Sequence, residues 1–324
     1  MTNPRILVVS NVSAPFVLND VKILSELASV RFLKYRGRRD LPGLATSIIG
    51  SDVVVCWFAL GYATSSVLLG RVFGKPTVLI AGGWDVAALP EIGYGAMLHA
   101  SRIRKTRYAL EHATYVIAVS RWTQTQVQRW TGRAVEVLYN AVDTSFFAPS
   151  GPKEPQVVTV AELPNETSYR AKGVELFLQA AARMPDVPFL LVGTLSPPID
   201  RRLREVAPRN VRLLGHLDSN NIRALYQQSR VYVQLSAHES FGVAVVEAMS
   251  CGCAPVVSDR AALPEVVDGA GYVVQYGNLE ETVAAIRKAI EDDEIGTRAR
   301  ERVQKHFSFE VRREGLRREL KRIE

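Results

Sequence analysis

Short runs rich in valine, isoleucine and leucine alternate with helix-length segments along almost the whole chain, and that alternation leaves few folds open. Strands are expected at Arg5–Ser10, Val30–Lys34, Asp52–Phe58, Pro76–Ala81, Tyr115–Ser120 and Ala134–Tyr139. Strands of this composition joined by helical crossovers build a parallel sheet covered on both faces, a doubly wound α/β domain. The pattern stops at Pro149-Ser150-Gly151-Pro152-Lys153-Glu154-Pro155, whose prolines and glycine continue neither a helix nor a central strand. It restarts with Gln156–Ala161, Val187–Gly193, Val211–Leu214, Val231–Leu235, Ala254–Ser258 and Tyr272–Val274, so a second doubly wound domain is expected. The length of 324 residues agrees, because single hydrophobic cores stop growing at roughly 250 to 300 residues.

The expected organisation is a Rossmann-like domain over 1–148, a second over 149–306, and a charged amphipathic helix over 307–324. No strand follows that helix, so it must dock on a surface already built, and a return to the first domain is expected. A helix is also expected from Thr64-Ser65-Ser66 to near Gly74, and another from Tyr94 to His112.

Composition excludes several classes. With 47% hydrophobic and 23% charged residues the chain is neither disordered nor fibrous. The three cysteines, Cys56, Cys251 and Cys253, cannot all pair internally, and Cys-x-Cys is a poor local disulfide, so a reducing compartment such as the cytoplasm is favoured. A zinc site built from His238, Cys251 and Cys253 lacks a fourth ligand at a usual spacing. No apolar leader ending at a small-residue cleavage site follows the N-terminus. The 18 uncharged residues from Val53 to Gly70 divide into a buried strand and a helix at Gly61, and are not expected to span a membrane. The formal charge of +7 concentrates at Arg31, Lys34, Arg36, Arg38 and Arg39, and again at Arg102, Arg104, Lys105 and Arg107. Such clusters are solvated faces or surfaces for anionic partners.

Several familiar signatures are missing. Ser10-Asn11-Val12-Ser13-Ala14-Pro15 follows the first strand in place of a dinucleotide-binding glycine turn. Gly70-Arg71-Val72-Phe73-Gly74-Lys75 is one residue short of a P-loop, and Pro76 stands where a magnesium-holding Ser or Thr belongs. No Gly-x-Ser-x-Gly, His-Glu-x-x-His or Asp-x-Asp occurs, so no metal site is expected.

The informative stretch is Ser236-Ala237-His238-Glu239-Ser240-Phe241-Gly242-Val243, continuing to Glu247-Ala248-Met249-Ser250-Cys251-Gly252, which leaves an apolar strand and opens a helix. Gly242 lets a ligand approach the backbone, and the N–H groups of Phe241, Gly242 and Val243 suit an anionic or hydroxyl-rich group. The two glutamates stand eight residues apart. If that interval were helical their backbones would lie about 10 to 12 Å apart, too far for a glycosidase pair and suited to the two ends of a diphosphate ligand. Lys172-Gly173 opens a helix after the first strand of the second domain, at the sheet edge where α/β folds bind ligands, with Arg170 just before it.

The Glu239…Glu247 segment, followed by Ala254-Pro255-Val256-Val257-Ser258, resembles family 4 of the retaining GT-B glycosyltransferases, the glycosyl transferases of group 1. Lys172-Gly173, Tyr139-Asn140-Ala141-Val142-Asp143 and Leu263-Pro264-Glu265-Val266 extend the resemblance in the family's order. It implies two Rossmann-like domains facing across a cleft, an acceptor side in the first and a nucleotide-sugar donor side in the second. It implies Glu247 on the donor ribose and Glu239 on the transferred sugar. The backbone of Ser240, Phe241, Gly242 and Val243 would lie beside them, and Lys172 on the diphosphate.

Where this sequence departs from the family's usual pattern, Arg170 is the candidate for the phosphate arginine. Gly82 stands where a histidine is common, with Asp85 nearby as a catalytic candidate. Phe16, Asn19, Gly82, Gly83 and Trp84 are the acceptor-side candidates. The implied activity is retaining, metal-independent transfer of a hexosyl group to a hydroxyl acceptor, with lipid-linked acceptors such as polyprenyl carriers and cell-surface glycan precursors both in view. The donor is a nucleoside-diphosphate sugar consumed as a substrate, no cofactor is expected, and nucleic acid is not an expected partner. The basic helix is compatible with peripheral contact at the inner face of an anionic membrane. An epimerase or hydrolase acting on nucleotide sugars, and a non-catalytic sugar-nucleotide binder, remain as alternatives.

Overall fold

The computed structural model describes residues 4–323, so Glu324, at the end of the expected terminal helix, lies outside the described residues. The chain divides into two compact units. One holds the chain up to Ala141 together with the segment from Phe309 onward, and the other is Val142–Ser308.

The first unit carries β1 (Arg5–Ser10), β2 (Ser29–Lys34), β3 (Val53–Trp57), β4 (Thr77–Ala81), β5 (Tyr115–Ala118) and β6 (Glu136–Val137). All are parallel, in the order β2-β1-β3-β4-β5-β6. Every residue of β3 and β4 is buried, as a strand with helices on both faces requires. The two-residue β6 is much shorter than its expected span because it is an edge strand paired only through Ile117 and Ala118 of β5.

The second unit carries β7 (Glu154–Val160), β8 (Phe189–Val192), β9 (Val211–Gly215), β10 (Ser229–Gln234), β11 (Ala254–Ser258) and β12 (Tyr272–Val274). These are parallel in the order β12-β11-β10-β7-β8-β9. That order reverses direction between β7 and β10, and the crevice beyond the carboxyl ends of strands at such a reversal is where doubly wound sheets hold ligands. Val157, Val231, Val233, Leu191 and Val256 from these strands share one buried core with Phe177 and Leu178 of the helix Val174–Ala182. Helix starts are fixed locally: Asn165, Asp218 and Asn278 each accept a backbone N–H of the first turn through the side chain.

Several expectations are corrected. The unit boundary falls after Ala141, not after residue 148. The intervening residues pack on the second unit: Val142 N donates to Phe307 O at 2.9 Å, and Ala148 O accepts Gln227 Nε2 at 2.7 Å. Pro155 belongs to β7, at a register irregularity between Ser229 and Val231 of its neighbour, where a missing N–H is tolerated. The helix expected from Tyr94 is broken, because Tyr94 bridges back to Leu89 and a short 3-10 turn covers Ala96–Leu98. Gly95, at φ +116°, lies so near the Ala87 carbonyl that any side chain would collide with it. The helix proper is Ala100–His112. The one expected from Thr64 begins earlier, at Gly61, and ends at Val72.

The terminal helix is Phe309–Lys321. Its Arg312, only 2% exposed, enters the first unit and binds both carboxylate oxygens of Asp20, with Nη2 2.7 Å from Oδ2. Trp57 Nε1 donates to the same Asp20 Oδ2 at 3.0 Å. Arg312 Nη1 donates to the carbonyls of Leu138 and Tyr139 at 2.9 and 2.6 Å. A buried guanidinium with all of these acceptors is fully paired, which is the condition for holding such a charge inside.

Candidate active site

The site of the second unit is built where β7 and β10 part. The loop after β10 is held to the end of the short helix Glu166–Ala171, which follows β7, by Ala237 N, which donates to Ala171 O at 2.8 Å. Gly173, at φ +65°, sits so close to the Leu235 carbonyl that a Cβ would strike it. This close approach brings Lys172 to Glu239, with Nζ donating to Oε1 at 2.6 Å. Both side chains remain partly accessible, at 29% and 17%.

Oε1 of Glu239 also accepts from Ser236 Oγ at 3.1 Å and from Gln234 Nε2 at 3.3 Å. Gln234, at 2% exposure, further donates to Ser236 Oγ at 2.7 Å and accepts from Tyr232 OH at 2.6 Å. Tyr232 and Gln234 were not legible as site residues, and Ser236 was legible only as the start of the Glu239 stretch. His238 Nε2 lies 3.2 Å from Ser240 Oγ, and burial pushes its imidazole down to about 4, so the ring is neutral beside the Lys172–Glu239 pair.

The loop becomes helical only at Val243, with Gly242 at φ +96° capping the helix Val243–Ser250. Glu239 to Gly242 therefore lie outside that helix, and the helical rise expected between the glutamates does not apply. Phe241 is 2% exposed and packs edge-on against Phe307 at 5.4 Å, so its side chain anchors the loop and only its backbone is a ligand candidate. Glu247, five residues into the helix, is half-buried, and its carboxylate has no hydrogen-bond or ion-pair partner among the described residues. Burial pushes its carboxyl up to about 8.

Arg170 is not brought to this group. It ends the short helix Glu166–Ala171 with its side chain 78% exposed and pairs with Glu166 at 3.4 Å. Glu166 is also held by Arg202 at 3.2 Å, which draws Arg170 outward.

In the first unit Asp85 is fully buried, and its carboxylate is consumed by the backbone. It accepts from Ala59 N at 2.6 Å, Gly82 N at 3.1 Å and Gly83 N at 2.8 Å, so it shapes the loop after β4 and is closed to a substrate. Burial pushes its carboxyl up to about 6 despite those donors. Gly82 lies against the Phe58 ring with no room for a Cβ, and Phe58 itself adopts φ +68°, a strained geometry for a non-glycine residue. Phe16 packs 5.2 Å from the Trp57 ring and 6.1 Å from that of Phe58. Asn19 Nδ2 donates to Ala141 O at 3.3 Å. Trp84 is 37% exposed with Arg102 stacked over it at 5.2 Å, while its backbone carbonyl is held by Ala96 N at 2.7 Å.

Arg102, Arg104, Lys105 and Arg107 are exposed on the helix Ala100–His112, whereas Met97, Ala109 and Leu110 are buried. Ile103 and Tyr108 of the same helix are half-buried, and Leu98 just before it is exposed. Among the described residues no helix is long and apolar enough to cross a membrane. Nor do three or more His, Cys, Asp or Glu side chains among them come together in a way that could hold a metal ion.

The family model described as glycosyl transferases group 1 matches residues 144–306. The chain is similar to the O-antigen chain mannosyltransferase B of Escherichia coli, at 37% identity over 103 residues, 31% of this chain and 27% of that one. It is similar to the alpha-maltose-1-phosphate synthase of Mycolicibacterium smegmatis, at 30% identity over 283 residues, 75% of this chain and 72% of that one. The phosphatidyl-myo-inositol mannosyltransferase of the same organism is 34% identical over 215 residues, 59% of this chain and 53% of that one. The match thus spans about a quarter of the E. coli relative and about half of the mannosyltransferase from M. smegmatis. Among solved structures, Anabaena HepE in complex with UDP and glucose has the same fold, with a TM-score of 0.79 at 18% identity, covering 98% of this chain and 99% of that one.

Proposed function

The chain belongs to the glycosyl transferases of group 1, and we propose that it moves a hexosyl group from a nucleoside-diphosphate sugar to a hydroxyl acceptor with retention of anomeric configuration and without a metal. The observation that carries this reading is the partnered Glu239 and the partnerless Glu247, with Lys172 on the first, at the strand reversal of the second unit.

Glu247 accepts the two hydroxyls of the donor ribose, Glu239 accepts hydroxyls of the transferred sugar, and the backbone N–H groups of Gly242 and Val243 face the diphosphate. Lys172 supplies positive charge where negative charge grows on the departing diphosphate, the role a divalent cation otherwise serves. The acceptor oxygen bonds to the anomeric carbon as the bond to the diphosphate oxygen breaks, and the acceptor proton passes to a phosphate oxygen of the leaving group. No protein base is needed. HepE is described in complex with UDP and glucose, and the M. smegmatis mannosyltransferase is named for phosphatidyl-myo-inositol. Those names support a nucleotide-sugar donor and a lipid-borne hydroxyl acceptor here, with the exposed basic helix Ala100–His112 touching an anionic surface.

The test incubates the protein in excess EDTA with UDP-glucose or GDP-mannose and either phosphatidylinositol vesicles or soluble glycan acceptors. Acceptor-dependent release of nucleoside diphosphate, with an α-linked product by NMR from these α-linked donors, is expected. Release without acceptor would identify a hydrolase, a changed donor an epimerase, and activity lost to EDTA but restored by manganese would overturn the metal-free mechanism.

A further inference from the structure

The buried amide of Gln234 has no packing reason to be there. It closes β10, a central strand whose buried Val231 and Val233 belong to the apolar core, and it is 2% exposed. Its orientation is decided by chemistry. Glu239, as a carboxylate, can only accept, so the nitrogen of the amide must face it and the oxygen must face Tyr232. Tyr232 OH then donates to Gln234 Oε1 at 2.6 Å, and burial pushes that phenol up, keeping the donor proton in place. The amide nitrogen passes the constraint on to Ser236 Oγ at 2.7 Å and Glu239 Oε1 at 3.3 Å.

With Lys172 and Ser236 also on Oε1, three donors converge on one oxygen of Glu239, and the other oxygen has no donor among the described residues. A carboxylate fixed by one oxygen presents the other in a single direction.

We propose that Gln234 is a positioning residue for sugar recognition: the chain Tyr232–Gln234–Ser236 fixes Glu239 by Oε1 so that Oε2 meets the hydroxyls of the transferred sugar. This rests on the reading of Glu239 as the sugar-binding carboxylate. The hydrogen bonds of this chain end on Glu239 and none reaches Glu247, so their loss is expected to fall on the sugar more than on the nucleotide. Pre-orientation of this kind shows as affinity, since a carboxylate free to rotate must be ordered when the ligand binds.

The experiment measures binding of UDP against UDP-glucose, and of GDP against GDP-mannose, by calorimetry. The pair in which the sugar adds affinity is the one used. Gln234→Leu is expected to reduce the gain contributed by the sugar by about tenfold while leaving nucleoside-diphosphate affinity within about twofold of wild type. Tyr232→Phe, which keeps the ring and removes the hydroxyl that orients the amide, is expected to move the same quantity in the same direction by a smaller factor. Retained nucleoside-diphosphate binding shows that each variant is folded. An unchanged sugar gain in Gln234→Leu overturns the proposal, and so does an equal loss for sugar and nucleotide. If Gln234→Leu does not fold, an unchanged gain in Tyr232→Phe overturns it instead. Glu239→Gln separates the two levels: if it too leaves the gain intact, the role of Glu239 fails. If it abolishes the gain while Gln234→Leu does not, only the positioning role fails.

Discussion

Lys172 and Glu239, 67 residues apart in sequence, meet with Nζ 2.6 Å from Oε1, and the contact exists because Gly173 has no side chain to hold it away from Leu235. Lys172 is thus positioned before any substrate arrives. Its charge is shared with Glu239, and in the proposed reaction it is drawn on most strongly when a diphosphate departs.

Lys172→Ala is expected to lower turnover by about two to three orders of magnitude at saturating donor, because the interaction strengthens as charge develops on the leaving group. The melting temperature should fall by only a few degrees, since the pair is partly accessible. Activity assays with parallel thermal melts decide the matter, and wild-type turnover in the variant would remove Lys172 from the reaction. Arg170→Ala, by contrast, should leave turnover near wild type, because that side chain is exposed and held by Glu166.

Glu247 makes a prediction about protons. Its carboxyl, ordinarily near 4.5, is pushed up to about 8 by burial. A folded acid with a raised pKa binds more protons than the unfolded chain, so its contribution to stability is largest below about pH 4.5 and declines as pH rises toward 8. Ribose hydroxyls donate best to the anion, so nucleotide binding near pH 7 should expel a proton. The heat of nucleoside-diphosphate binding should therefore differ between phosphate and Tris buffers by more in the wild type than in Glu247→Gln, whose affinity should also drop about tenfold or more. Equal buffer dependence in the two proteins would refute proton release from this residue.

Removal of the Arg312 guanidinium should be costly for the first unit. Arg312→Leu leaves Asp20 in the interior with the Trp57 indole and loses both carbonyl contacts, and breaking a buried pair from one side costs about 3 to 5 kcal/mol. The double variant Asp20→Leu/Arg312→Leu should recover part of that loss. Urea unfolding followed by tryptophan fluorescence measures both, and an unshifted midpoint for the single variant would contradict the account.

Replacing Arg102, Arg104, Lys105 and Arg107 together by glutamine should weaken co-sedimentation with anionic vesicles at least about tenfold at low salt, each basic residue near such a surface contributing about 1 kcal/mol. The effect should shrink at physiological ionic strength. Absence of binding by the wild type, or binding equal in the variant, removes the membrane and makes a soluble acceptor the better candidate.

The alternation of apolar runs made both sheets legible, to the residue at Arg5–Ser10 and Ala254–Ser258, because strands buried on both faces carry their signal in composition alone. The same holds for the backbone of the Glu239 loop, where glycine and helix start are local properties. Side-chain direction is not local. Arg170 and Asp85 had suitable chemistry in suitable places, yet Glu166 draws one outward and three backbone N–H groups enclose the other. Gln234 was invisible for the converse reason, as its partners Tyr232, Ser236 and Glu239 become neighbours only once strand and loop are folded. The helix expected from Tyr94 failed on Gly95, whose positive φ reflects a close approach to Ala87 that no periodicity encodes.

The pairing of Asp20 with Arg312 links residues 292 positions apart, and this has a consequence for the order of events on the ribosome. All six strands of the first sheet are synthesised, and the whole of the second unit after them, before the guanidinium that neutralises Asp20 has been made. The amino-terminal sheet must wait through that interval with an uncompensated carboxylate inside it, while the second unit, whose described residues form one continuous stretch, can close on its own. A chain released just short of residue 312 should therefore have a finished second half and an open first half, the reverse of the usual amino-terminal-first sequence.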